Sequence, residues 1–224
     1  ADGNEEVRKI SRRDFAPAIV HRAMGATTVA ATMLVAHAAG IRIFATGGIG
    51  GVHRGESGDI SADLVELAQT PVGVVCAGAK AILDLARTLE WLETFGVPVV
   101  GYGTDELPAF YTRTSGLSLV ERVDTPTEAA KLLYTHWNMV MPAGVLITVP
   151  IPASDAMDES TINAYIEMAL VEADAQSVRG KDITPFLLSR LAALTEGRSL
   201  AANLALLRNN GRIAARIAVA LAQF

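Results

Sequence analysis

Apolar positions in this chain follow two alternating patterns. Residues 41–45, 72–76, 97–100 and 144–148 are short, nearly unbroken apolar runs of strand length. Runs without polar alternation suit strands covered on both faces. Between them lie stretches with helical spacing. Residues 29–39 form a small-residue helix opened by Thr27 and Thr28 and stopped by Gly40. Residues 61–68 predict a second helix. Residues 81–95 predict a third, with Leu83, Leu85, Leu89 and Leu92 inward and Gly96 ending it. Residues 127–139 predict a fourth, behind Thr125 and Pro126. Strands alternating with helices imply a largely parallel sheet between helical layers, a three-layer α/β/α fold. The last third reads as a helical C-terminal part, with helices over 159–175, 184–196 and 199–221. No repeat or long linker interrupts this, so residues 1–224 read as a single α/β/α domain. The polar start, 1–6, is expected to fray. The basic run 8–14 reads as a solvated surface turn.

Composition narrows the class. Half the residues are hydrophobic but only 5% are aromatic, so the core is built from Ala, Val, Leu and Ile. A net charge of −5 argues against nucleic acid as a partner, because phosphate neutralisation needs a basic face. No apolar run of spanning length suggests a membrane segment, and no signal-peptide pattern opens the sequence. One cysteine, Cys76, excludes an intramolecular disulfide and fits a reducing cytoplasm.

The chemistry concentrates between residues 44 and 80. A strand runs into Gly47, Gly48, Ile49, Gly50 and Gly51, followed by His53 and Arg54. The spacing fails the G-x-G-x-x-G dinucleotide rule, since the last position counted from Gly48 is His53. That disfavours a nucleotide-cofactor oxidoreductase. Thr46, His53 and Arg54 around such amides suit a phosphate, with Ser61 and Lys9 as further contributors. Asp59, Ser61 and Asp63 mark a helix start. They read either as caps or as carboxylates for a hard divalent cation such as Mg²⁺ or Mn²⁺. Lys80 follows the strand through Cys76, Ala77, Gly78 and Ala79 into a predicted helix. There, burial and the helix dipole both lower a lysine pKa and expose a free amine for Schiff-base chemistry, although a snorkelling structural lysine reads equally well. Loop 101–116 reads as a lid, a subunit contact or an ordered connector. Asn203, Asn209 and Asn210 lie on or beside the last helix, and Asn203 is expected to face inward or a cleft.

Blocks 11–14, 25–33, 44–55, 59–64, 76–80, 102–116, 184–188 and 199–210 together resemble the pseudouridine-5′-phosphate glycosidase family, also called indigoidine synthase A-like. The resemblance spans nearly the whole chain in family order. It implies an α/β/α core assembled as a homotrimer. It also implies reversible cleavage of the C–C glycosidic bond of pseudouridine 5′-phosphate, giving uracil and ribose 5-phosphate, with Mn²⁺ bound. By resemblance, Lys80 matches the lysine that bonds to ribose C1, and Asp59 the metal-binding aspartate. Lys9, Val29, Ser61, Ala62 and Asp63 match substrate-binding positions. Thr46, His53 and Asn203 fall on motif positions expected to line the same pocket.

Three departures accompany the match, one of them a connection from Gly55 to Asp59 that is short by family standards. The family's general acid is a glutamate in a Leu-Glu-Ser-type motif upstream of the block at 11–14, and this sequence begins just before that block. The N-terminal segment is therefore expected to be absent, with Glu106 a conceivable substitute acid. Val149 precedes Pro150 where the family usually carries asparagine. The alternative these departures leave open is an inactive, binding-only remnant that holds a sugar phosphate and a metal.

Overall fold

The computed structural model describes residues 7–55, 58–139 and 141–224, with Lys181 by its backbone alone. The predicted fraying of 1–6 lies outside these residues. In chain order the elements are β1 (Arg8–Ile10), α1 (Phe15–Val20), β2 (Gly25–Thr27), α2 (Val29–Ala38), β3 (Ile43–Ala45), β4 (Val52–His53), α3 (Ala62–Gln69), β5 (Gly73–Cys76), β6 (Leu83–Asp84), α4 (Leu85–Thr94), β7 (Val99–Tyr102), β8 (Glu121–Val123), α5 (Pro126–Asn138), β9 (Val145–Thr148), α6 (Glu159–Ala175), α7 (Ile183–Leu194) and α8 (Arg198–Leu221).

Five strands form the central sheet in the order β3-β5-β9-β7-β8, and every pairing is parallel. All four residues of β5 and of β9 are buried, as their unbroken apolar runs require. Neighbouring residues serve opposite faces. Val75, Val145 and Ile147 pack with Leu133 of α5 and with Ile213 and Ile217 of α8. Val74, Cys76 and Leu146 turn the other way, against Met33, Leu64, Leu67, Leu92 and Ile162. Helices thus cover both faces, as the alternation predicts.

Local chemistry sets the helix starts. The Thr28 hydroxyl accepts from Ala31 N–H, Ser61 from Asp63, Asp84 from Arg87 and Asp158 from Thr161. Thr125 and Glu128 complete a reciprocal capping box behind Pro126.

Three expectations need correction. The helix predicted from residue 81 begins at Leu85. Leu83 and Asp84 are drawn into an antiparallel pair with His53 and Val52, and Asp84 then caps the helix. The strand predicted from Ile41 begins at Ile43, because Ile41 and Arg42 are exposed. The basic run is not a plain surface turn. Residues 8–10 pair in parallel with 25–27, and a 3₁₀ turn at 12–14 follows. From that turn Arg12 donates to both oxygens of Glu66, which is only 1% exposed. Thr70 donates its hydroxyl to the same carboxylate. A buried carboxylate demands such partners. The pair therefore fastens the strand carrying Lys9 onto α3.

Candidate functional site

The site lies beyond the carboxyl end of the sheet, the usual place for ligands in open α/β folds. The chains leaving β3 and β5 stay side by side after the strands end. Thr46 N–H donates to Val75 O at 3.0 Å, Ala77 to Gly47 O at 2.9 Å, Ile49 to Gly78 O at 3.1 Å and Lys80 to Ile49 O at 3.1 Å. Ile49 and Ala79 form a parallel bridge within this ladder. The glycine-rich segment and the lysine are thus two rails of one extension of the sheet. Gly78 allows the path because its φ is +84°, and a Cβ there would sit 2.3 Å from Pro108 O.

The second wall is the start of α3. Asp63 is 5% exposed, and both of its oxygens accept backbone N–H groups. Oδ1 takes Ala30 at 2.8 Å and Oδ2 takes Gly50 at 2.7 Å. Ser61 caps the helix, and its Oγ would lie 2.1 Å from a Cβ on Gly50. Glycine at 50 is therefore a matter of close approach. Ala62 opens α3 and is exposed; Val29 opens α2, half-buried beside the Ala30 amide. Three predicted substrate positions, Val29, Ser61 and Asp63, are in this way tied to the glycine loop.

Electrostatics draws the other residues into the same cluster. Burial is the main cause that lowers the Lys80 pKa; Asp63 opposes it and Lys9 adds to it. Burial likewise lowers His53, with Asp59 opposing and Lys9 and Lys80 reinforcing. His53 Nε2 stands 3.8 Å from an Asp59 carboxylate oxygen, and His53 N–H donates to Asp59 O at 3.0 Å. Lys9, His53 and Lys80 therefore feel one another's charge, with Asp59 acting on His53 and Asp63 on Lys80. The helix-dipole contribution expected at Lys80 is absent, because a turn and β6 intervene before α4. Desolvation carries the shift instead.

The last helix closes the third side. Asn203 is half-buried, and its Oδ1 lies 3.0 Å from where a Cβ on Gly47 would stand. Asn210, fully buried, donates its amide to Thr46 O at 2.9 Å and Gly47 O at 3.4 Å. The sequence pattern points to Asn203 and leaves Asn210 unassigned. The signal is the seven-residue interval, two helical turns, which puts both amides on one face of α8.

Other sequence-level candidates lie apart from this cluster. Arg54 donates to Ala81 O at 2.9 Å, to Leu83 O at 3.3 Å and to Glu167 of α6 at 2.6 Å. Its guanidinium braces the outside of the Lys80 turn. A cavity of about 360 Å³ opens on that outer side, walled by Arg54, Ala81, Asp84, Thr112 and Asn163. Another, of about 450 Å³, lies at the opposite end of the sheet between α5 and α8. Neither includes Lys80 in its lining, so polar convergence defines the site better than volume does. In the 101–116 loop, Glu106 accepts the Gly116 N–H at 3.0 Å. Phe110, with φ +66°, lays its ring 2.7 Å from where a Cβ on Gly48 would stand.

Among the described residues, no three His, Cys, Asp or Glu side chains converge to hold a metal ion. The Asp59 carboxylate, 41% exposed, fits a hard divalent cation that keeps most of its water. Also among the described residues, no helix is long and apolar enough to cross a membrane.

Comparison with known proteins gives a family and a fold. Residues 1–220 match the family described as indigoidine synthase A like protein. A pseudouridine-5′-phosphate glycosidase of Caldanaerobacter subterraneus subsp. tengcongensis is 56% identical over 220 residues, covering 97% of this chain and 72% of the relative. One from Methylobacterium nodulans is 58% identical over 219 residues, covering 97% and 65%. Among solved structures, the prealnumycin C-glycosynthase AlnA in complex with ribulose 5-phosphate superposes with a TM-score of 0.92 at 42% identity, over 99% of this chain and 74% of that one. An indigoidine synthase A-like protein of Thermotoga maritima gives 0.88 at 34% identity, over 98% and 72%.

Proposed function

This chain belongs to the indigoidine synthase A-like family of pseudouridine-5′-phosphate glycosidases, and from that we propose that it interconverts pseudouridine 5′-phosphate with uracil and ribose 5-phosphate through a covalent adduct at Lys80. The observation that carries the reading is Lys80 itself, a half-buried amine of lowered pKa at the end of the backbone hydrogen-bond ladder. A free amine at neutral pH is what carbonyl chemistry requires.

An ordinary glycosidase protonates a departing oxygen between two carboxylates. Uracil bound through carbon needs a different electron sink. In the proposed sequence the Lys80 nitrogen bonds to C1 as the C1–O bond of the ribose ring breaks; the nitrogen gives up a proton and the ring oxygen takes one. C5 of the pyrimidine takes a proton. The C1–C5 electrons return to the pyrimidine as the nitrogen lone pair forms the C=N bond of an iminium. Water then adds to C1, releasing ribose 5-phosphate and the amine. The sum is substrate plus water giving uracil plus ribose 5-phosphate.

The remaining assignments follow the cluster. Lys9, the hydroxyls of Ser61 and Thr46 and the amides of the glycine segment would bind the phosphate and sugar oxygens. Ala62 and Val29 would border the ligand, with Asp63 beneath it. His53 and Asn203 would line the sugar and base. Asp59 would hold one divalent cation, Mn²⁺ by family likeness, which when bound supplies positive charge to orient substrate oxygens. The assembly consistent with the family is a homotrimer, and Leu200, Leu204 and Leu207, exposed along α8, offer apolar surface for association. Light scattering giving the mass of three chains checks that part.

The test of the activity is release of uracil from pseudouridine 5′-phosphate, followed chromatographically, with the Lys80→Ala variant beside it. Uracil from the unaltered chain and none from the variant supports the reading. Ligand binding without uracil release by the unaltered chain replaces it with a binding-only protein.

A further inference from the structure

We propose that Asn210 is a positioning residue for Lys80, acting through the ladder of backbone hydrogen bonds between 46–49 and 77–80; its catalytic meaning rests on the reading of Lys80 as nucleophile. Asn210 stands among apolar neighbours on its helix, with Leu206, Ile213, Ala214 and Ile217 buried around it. Leucine or alanine would pack there at no desolvation cost. The amide is explained by what it touches. Both of its contacts are carbonyl oxygens, Thr46 O at 2.9 Å and Gly47 O at 3.4 Å, so the amide nitrogen must face them. The side-chain oxygen is buried and has no hydrogen-bond partner among the described residues. The two donated bonds are what the amide contributes there.

Gly47 O is the junction. It accepts from Asn210 and, at 2.9 Å, from Ala77 N–H. Ala77 begins the rail that continues through Gly78 and Ala79 to Lys80. Each rung beyond it, Ile49 to Gly78 O and Lys80 to Ile49 O, depends on the register set at that first one. Asn210 thus holds, from a helix at the far end of the sequence, the peptide from which the Lys80 rail is hung. If the rung loosens, Lys80 gains solvent. The charged groups facing Lys80 are Asp63, Lys9 and, through its ring, His53. Asn210→Ser adds no charge among them, so a raised midpoint in that variant would come from the lysine's solvation.

The experiment compares the unaltered chain with Asn210→Asp, which keeps the shape but replaces the donating amide with an oxygen, and Asn210→Ser, which keeps one shorter donor. Two quantities are read. The first is amide hydrogen exchange in peptides spanning 46–50 and 77–80. The second is the pH midpoint of Lys80 acetylation by acetic anhydride, measured by mass spectrometry. Expected for Asn210→Asp are exchange at least about tenfold faster in both segments and a midpoint about one unit higher, a tenfold loss of free amine at fixed pH. Asn210→Ser should fall between the two, and because it adds no charge it decides the midpoint whether or not the aspartate variant folds. A lower melting temperature with unchanged midpoint and unchanged exchange at 77–80 would overturn the proposal, since Asn210 would then only anchor α8. Borohydride trapping with ribose 5-phosphate on the unaltered chain is run beside these. No adduct there removes the nucleophile reading, while exchange and acetylation still decide the positioning.

Discussion

Asp63 Oδ2 takes the backbone N–H of Gly50 at 2.7 Å, joining the first turn of α3 to the glycine-rich rail beside Lys80. The other oxygen holds Ala30 at the start of α2. Asp63→Asn keeps the shape but leaves one of those amides facing an N–H₂ group. The expected loss is about 1–3 kcal/mol of unfolding free energy in urea. The same change removes a charge that raises the Lys80 pKa, so the Lys80 acetylation midpoint should move down. A midpoint that rises or stays put would show that Asp63 does not act on the lysine.

Borohydride reduction in the presence of ribose 5-phosphate should add the sugar phosphate's mass to the peptide holding Lys80 and to no other. Lys80→Arg keeps a long side chain but has no nucleophilic amine near neutral pH, so labelling should vanish. Labelling of Lys9 instead would transfer the nucleophile's role to it.

Lys9 is held over the site by the Arg12–Glu66 pair. If it meets the phosphate, Lys9→Ala should weaken ribose 5-phosphate by about 10- to 150-fold, in line with a charge-assisted hydrogen bond of roughly 1.5–3 kcal/mol. Affinity for unphosphorylated ribose should not change. Calorimetry showing equal losses for both sugars would remove Lys9 from the phosphate.

Asp59→Asn should abolish Mn²⁺ binding measured by electron paramagnetic resonance, while the circular dichroism spectrum keeps its native shape. Unchanged Mn²⁺ affinity would place the metal elsewhere.

Burial pushes the Cys76 thiol up to about 12. Thiolate, not thiol, is the nucleophile, so iodoacetamide at about pH 8 should leave Cys76 unmodified until the chain unfolds. The raised value also fixes a sign. Below the unfolded pKa, near 9, the contribution to stability is fully present; it is lost as pH rises toward 12. Cys76→Ala should flatten that alkaline decline in urea titrations.

What the sequence determined by itself was local. The four predicted strands are nearly unbroken apolar runs, and burial on both faces leaves such runs little alternative. Thr28, Ser61 and the Thr125–Glu128 box announce helix starts because a cap bonds to amides two or three residues away. The gathering of Gly47–Gly51, His53, Asp59, Ser61, Asp63 and Lys80 was legible too, since they sit on consecutive strand-to-helix loops, which a parallel sheet brings to one edge. Tertiary structure decided whatever depends on pairing across the chain. Lys80 stands before a short strand rather than a helix because Leu83 and Asp84 meet His53 and Val52. The basic run 8–14 is ordered because Arg12 finds Glu66, 54 residues away. Asn210 reaches Thr46 across 164 residues. Propensity and periodicity describe how a segment folds on itself, whereas these contacts arise from which buried polar groups must satisfy one another once the layers close.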